Sequence, residues 1–297
     1  MKCVSLFSGC GGLDLGLSQA GFDVILANDN DPICAESHKL NFPASHFFLG
    51  SVSRLDQTTF KQLLNVKLPR NKNIALLAGG PPCPPYSKSR FYRKDKPRGI
   101  NDPIGLETLN GYLSVLAILR PRAFLFENVP GFAYKVHAEA ASQLRKTAAG
   151  LGYHLSAKVL NAADYGVAQI RQRYFMVGMR DQTFEFPLPS HCNPADTGLF
   201  CRDLRPWRTA GEAIGDLDTE QNADDKGHFA GGKHHDILKL VPPGDNYLFF
   251  TKERGHPRPL FRWRSRYWSF LLKLSPVPPT KCLPVFERKW VEKIASS

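Results

Sequence analysis

Five short apolar runs, each broken off by glycine, proline, asparagine or aspartate, set the rhythm of the first half of this chain. They are Cys3-Val4-Ser5-Leu6-Phe7, Val24-Ile25-Leu26-Ala27, Phe47-Phe48-Leu49, Ile74 to Ala78 and Ala123-Phe124-Leu125-Phe126. Apolar runs of this length, bounded by turn formers, predict buried strands. Between them the spacing changes: Leu13, Leu15, Leu17 and Ala20 predict one helix, and Leu106 to Leu119 another. Asp31-Pro32 predicts a third helix start, with the aspartate as cap and the proline in the first turn.

The residues just past each run carry the chemistry. In an open α/β sheet, ligands sit beyond the carboxyl ends of the strands. After the first run comes Ser8-Gly9-Cys10-Gly11-Gly12, so strand, glycine turn and helix open a nucleotide-binding unit. Glycines let a ligand approach the backbone, and the helix start offers unpaired N–H groups. Asn28-Asp29-Asn30-Asp31 ends the second run about twenty residues later, where a carboxylate meets a ribose diol. This assigns Asp29 to a ligand and Asp31 to the helix. The fourth run ends in Gly79-Gly80-Pro81-Pro82-Cys83-Pro84, so Cys83 is held between prolines just past a strand end. Pro84 to Pro103 then has no apolar periodicity but carries Lys88, Arg90, Arg93, Lys94, Lys96 and Arg98, the pattern of a basic lid or binding loop. The fifth run ends in Glu127-Asn128-Val129, and a carboxylate there is costly unless paired or used.

Size and charge widen the picture. With 297 residues, 42% of them hydrophobic, the chain is expected to form one large domain and a smaller one. No apolar window reaches 18 residues and no signal-peptide pattern precedes Cys3, so a soluble, cytoplasmic protein with no membrane partner is expected. Seven scattered cysteines without a CxxC pair argue against a disulfide framework and against zinc. A net charge of +12 and a pI near 9.4 point to a polyanion, with DNA, RNA and an acidic membrane surface all open. Between residues 232 and 297 there are 13 Lys/Arg against 5 Asp/Glu, and eight aromatics between Tyr247 and Phe270 interleave with Arg254, Arg258, Arg262, Arg264 and Arg266. Basic residues among aromatics suit phosphate contact and base reading.

Four tracts in order, Phe7-Ser8-Gly9-Cys10-Gly11-Gly12, Gly80-Pro81-Pro82-Cys83, Glu127-Asn128-Val129 and Gln169-Ile170-Arg171-Gln172-Arg173, resemble the DNA cytosine-5 methyltransferases. The resemblance implies an α/β, Rossmann-like, doubly wound methyltransferase sheet, S-adenosylmethionine as methyl donor, and a cytosine flipped out of duplex DNA, often within a restriction-modification system. It assigns Phe7, Ser8, Gly9, Gly11, Gly12, Asp29, Asn30, Ser51 and Pro81 to the cofactor. Cys83, Glu127, Arg173 and, in support, Arg171 are assigned to catalysis, and Ser87, Lys88, Arg90, Arg93, Arg262, Arg264 and Arg266 to DNA. The chemistry fits these residue types. Cytosine C5 must be made electron-rich by a nucleophile at C6, a thiolate suits that task, and the charge so formed at N3 and O2 needs an acid and a cation.

Departures from the family pattern carry expectations too. Ser51 stands where the family has an aspartate for the adenine amine. The closing arginine-leucine-glutamine helix and glycine-asparagine segment are absent. The expected organisation is a catalytic and cofactor domain over 1–185 and an incomplete target-recognition region over 186–297. Alternatives are a truncated DNA-binding remnant, one half of a split enzyme completed by a second polypeptide, or a tRNA cytosine-5 methyltransferase.

Overall fold

The computed structural model describes residues 1–64, 74–86, 97, 99–194, 201 and 203–217. Residues Met1–Gly215 form one compact unit. Along the chain run β1 (Lys2–Leu6), α1 (Gly12–Gln19), β2 (Asp23–Asp29), α2 (Pro32–Asn41), β3 (His46–Leu49), α3 (Gln57–Leu64), β4 (Ile74–Gly79), α4 (Pro103–Leu119), β5 (Ala123–Asn128), α5 (Ala138–Gly150), β6 (His154–Asn161) and β7 (Gln172–Met179). Beyond these, β8 (His191–Cys192) and β9 (Arg205–Pro206) pair as a small parallel ribbon before α6 (Ala210–Ile214). All five apolar runs are strands, and the expected helices are present. Asp31 caps α2 by accepting from the Ile33 amide at 2.9 Å, with Pro32 in the first turn.

One seven-stranded sheet orders its strands β3-β2-β1-β4-β5-β7-β6. Strands β1 to β5 are parallel, and β7 is inserted antiparallel between β5 and β6. The strand order reverses between β1 and β4, the switch point where an open sheet binds its ligand.

Side chains alternate between two buried layers because successive residues of a strand face opposite ways. Val4, Leu6, Leu26, Leu77, Phe124 and Phe126 pack with Tyr112, Leu116 and Leu144 on one face. Cys3, Val24, Leu76 and Ala78 pack with Leu17 on the other. Both faces of the parallel core are therefore covered, which explains why its strands read as unbroken apolar runs.

A second, polar core pins the amino-terminal helices. Asp14 of α1 accepts from the Ser5 hydroxyl and is paired at 2.8 Å with His38 of α2, and both members of the pair are fully buried. The two carboxylate oxygens are thus shared between β1 and α2, fixing where α1 begins.

Candidate active site

The turn after β1 is shaped by its backbone. Phe7, Gly9 and Gly11 all have positive φ, and a non-glycine residue there is unusual enough to mark a functional position. A side chain at Gly11 would lie 2.3 Å from the Phe42 ring, whereas the space beside Gly9 and Gly12 is open. The turn is tied to the next strand: the Ser8 amide donates to the Asn28 carbonyl, and the Gly9 amide to Asp29 Oδ2, both at 2.9 Å. Asp29 Oδ1 accepts from the amides of Asn30 and Asp31. Asp29 is half-buried at the tip of β2, and Asn30 beside it is exposed.

These residues fit an adenosyl cofactor. There is open backbone at Gly9 and Gly12, the start of an eight-residue helix behind them, and a carboxylate one strand over. Ser51 caps the short turn Val52–Arg54 after β3. Its hydroxyl donates to Glu107 Oε1 of α4 at 2.6 Å, which sets a carboxylate beside position 51.

The second half of the site lies at the tips of β4 and β5. Cys83 is half-buried, and its carbonyl closes the turn Pro84–Tyr86 by accepting from the Tyr86 amide at 2.9 Å. Asn128 holds this loop from the neighbouring strand by donating to the carbonyl of buried Pro81 at 3.2 Å. Gly79 is in register with Phe126, so Gly80 sits beside Glu127. A Cβ on Gly80 would lie 2.8 Å from Glu127 Oε2. Cys83 comes three residues on, at most about 10 Å of chain. By contrast Cys3 is fully buried, and burial pushes its thiol up to about 12, which makes it inert.

Glu127 and Arg173 are brought together by the antiparallel pairing of β5 and β7, with Arg173 Nε 2.9 Å from Glu127 Oε1. Burial raises the Glu127 carboxyl above the usual value, against the opposing pull of Arg173 and Arg171. A carboxyl held in this way keeps its proton to higher pH than an exposed one, as a proton donor needs. Arg171 is exposed, and its amide donates to Asn161 Oδ1 at 3.0 Å. Ser87, Lys88, Arg90, Arg93, Arg262, Arg264 and Arg266 lie outside the described residues. Two features escape a reading of the sequence. Glu107 looks there like any helix-surface glutamate, and the only hint of the Asp14–His38 pair is a charged residue on the apolar face of a short helix.

A sheet in this order, with β7 reversed and a glycine turn after β1, is the Rossmann-like fold of S-adenosylmethionine-dependent methyltransferases. The C-5 cytosine-specific DNA methylase profile matches residues 1–255, and the chain belongs to that family. It is 33% identical over 305 residues to the Type II methyltransferase M.SacI of Streptomyces achromogenes, covering 98% of this chain and 76% of that protein. It is 40% identical over 193 residues to the Type II methyltransferase M.FnuDI of Fusobacterium nucleatum, covering 64% of this chain and 51% of that one. Among solved structures, an Escherichia coli prophage protein described as a DNA modification methyltransferase superposes with a TM-score of 0.54 at 27% identity, over 72% of this chain and 54% of that one. The chain thus spans about half the length of these last two proteins.

Proposed function

We propose that this protein methylates C5 of a cytosine flipped out of duplex DNA, through a covalent bond between Cys83 and C6, as the modification partner of a restriction system. The observation that carries this reading is the Glu127–Arg173 pair, with its raised carboxyl, packed against the glycine that leads into the Cys83 loop. When bound, S-adenosylmethionine would supply the transferable methyl group, and Phe7, Ser8, Gly9, Gly11, Gly12, Asp29 and Asn30 would hold it. The Cys83 thiolate gives an electron pair to C6, and the ring electrons move toward N3 and O2. Glu127 passes its proton to N3, and Arg173 offsets charge at O2. C5, now electron-rich, would accept the methyl group that the bound cofactor gives up in becoming a neutral thioether; loss of the C5 proton to water and return of the N3 proton to Glu127 would then expel the Cys83 thiolate and restore the aromatic ring. A base inside a duplex cannot reach these groups, so extrusion at a cost of about a few kcal/mol precedes chemistry. The basic tract from Lys88 to Arg98 and the arginines between 254 and 266 would grip the flanking phosphates.

Trapping on duplex DNA containing 5-fluorocytosine tests this reading, because fluorine at C5 cannot leave as a proton and the adduct persists. The wild-type chain with methyl donor should give a denaturation-resistant complex, and Cys83→Ser should give none while still binding DNA. A covalent complex in Cys83→Ser would remove Cys83 from the mechanism.

A further inference from the structure

We propose that Glu107, on α4, is the residue with which this chain reads the exocyclic amine of the cofactor's adenine. The inference rests on the assignment of S-adenosylmethionine as cofactor and adds to it the identity of the group that recognises the base.

The tips of β2 and β3 form one polar shelf. Buried Asn28 donates from its side-chain amide to the carbonyls of Phe48 at 2.9 Å and Gly50 at 2.8 Å, and the Gly50 amide donates to the Asp29 carbonyl at 2.9 Å. With the glycine turn after β1 and the ribose-side carboxylate at the tip of β2, the nucleoside runs outward along the sheet edge. Its base then lies over the next tip, Gly50 to Ser53.

At that tip the serines are struts. Ser51 Oγ accepts from the Ser53 amide at 3.2 Å and donates to Glu107 Oε1 at 2.6 Å, while Ser53 Oγ lies 2.7 Å from Ser51 Oγ and 3.3 Å from the same carboxylate oxygen. The Ser51 hydroxyl, backed by Ser53, holds that oxygen over the shelf. Glu107 Oε2 has no hydrogen-bond partner among the described residues, and the side chain is exposed. Its helix is fixed from below: Gly111, one turn on, lies against buried Val52, and a Cβ there would meet Val52 Cγ1 at 2.3 Å. Only glycine lets α4 approach so closely, and the approach brings Glu107 level with Ser51. A charged acceptor makes a stronger bond to an N–H than a neutral hydroxyl does. The adenine amine therefore meets its acceptor on α4 rather than on the strand tip.

The test is binding, without turnover. Calorimetry of the full chain would compare S-adenosylhomocysteine with S-inosylhomocysteine, which carries a carbonyl in place of the amine, for wild type, Glu107→Gln and Glu107→Ala. The wild type should prefer the adenosyl compound by about tenfold to a hundredfold, as one charge-assisted hydrogen bond allows. Glu107→Ala should lose most of that preference by weakening the adenosyl compound alone, and Glu107→Gln, which keeps an acceptor of the same shape, should retain part of it. A preference that survives in Glu107→Ala overturns the role of Glu107 while leaving the cofactor assignment intact. Failure of the wild type to bind either compound overturns that assignment and this proposal with it.

Discussion

Replacing Gly80 with alanine probes whether the position of Glu127 matters separately from its presence. The added Cβ would stand 2.8 Å from Glu127 Oε2, and ordinary contact begins near 3.4 Å, so the carboxylate must retreat by about 0.6 Å. The retreat costs the fold little, because the atom that moves is the far end of a side chain, whose other oxygen is paired with Arg173. Gly80 is not among the glycines with positive φ, so alanine fits its backbone. A glycine-to-alanine change at such a site gains about 0.4–1 kcal/mol by restricting the unfolded chain. Stability should therefore stay within about 1 kcal/mol of wild type, or about 2–4 °C in Tm. Turnover should not be spared. A displacement of 1 Å at a catalytic group costs about 100-fold, so 0.6 Å predicts a loss of about tenfold or somewhat more. Single-turnover transfer of a tritiated methyl group to duplex DNA, beside thermal denaturation, measures both quantities. The loss must also vanish when Glu127 is already Gln, since the displaced group is then no longer the proton donor; the double-mutant cycle isolates this coupling. An unchanged rate in Gly80→Ala, or a loss that persists undiminished in the Glu127→Gln background, would show that the position of the Glu127 carboxyl does not limit the reaction.

Two further predictions concern protons and buried polarity. Because burial holds the Glu127 carboxyl above its ordinary value, the folded state keeps a proton that the unfolded chain releases, and the contribution of this group to stability is full below about pH 4.3 and declines as pH rises through the raised value. Urea denaturation between pH 4 and 7 should show that decline in the wild type and its loss in Glu127→Gln; parallel profiles for the two proteins would contradict the assignment. Breaking the Asp14–His38 pair with Asp14→Ala should cost about 3 kcal/mol, and the Asp14→Ala/His38→Ala double variant should cost less than the two single changes together. Strict additivity in chemical denaturation would mean that the two residues act independently.

The parts of this molecule that can be read from its sequence are those encoded within one run of residues. The strands β1 to β5 are visible because parallel strands covered on both faces are continuously apolar, and the turns after them because glycine admits backbone angles closed to other residues and proline fixes its own. Strand β6 leaves no such mark: His154–Asn161 mixes lysine and serine with apolar residues, since β6 is the sheet edge and its burial is only partial. Strand β7 does carry an apolar run, over 174–179, behind two polar residues. The site divides in the same way. Cys83, Glu127 and the glycine turn stand at ends of readable strands, whereas the role of Glu107 depends on Ser51, 56 residues earlier in the chain. Periodicity states which face of α4 is buried. It does not state that Gly111 lies on Val52, and that contact is what gives the exposed glutamate a partner.

The strand tips share a device that bears on how the chemistry is held together. At three junctions between neighbouring strands, a polar group on one tip fastens the loop of the other: Asp29 accepts from the Gly9 amide, Asn28 donates to the carbonyls of Phe48 and Gly50, and Asn128 donates to the carbonyl of Pro81. Asn28 and Asn128 are buried, and an unmade bond there would leave a polar side chain unsatisfied, at a cost of about 1–3 kcal/mol each. The loops are thus fixed by groups that cannot easily let go. Methyl transfer needs this, because donor and acceptor carbon must meet within a few tenths of an ångström of the productive distance, and each is positioned by a different loop. Since β1 and β4 are hydrogen-bonded neighbours, the glycine turn and the Cys83 loop spring from adjacent strands. The glycine turn and the Cys83 loop are therefore carried on one sheet edge, at the tips of strands held in fixed register.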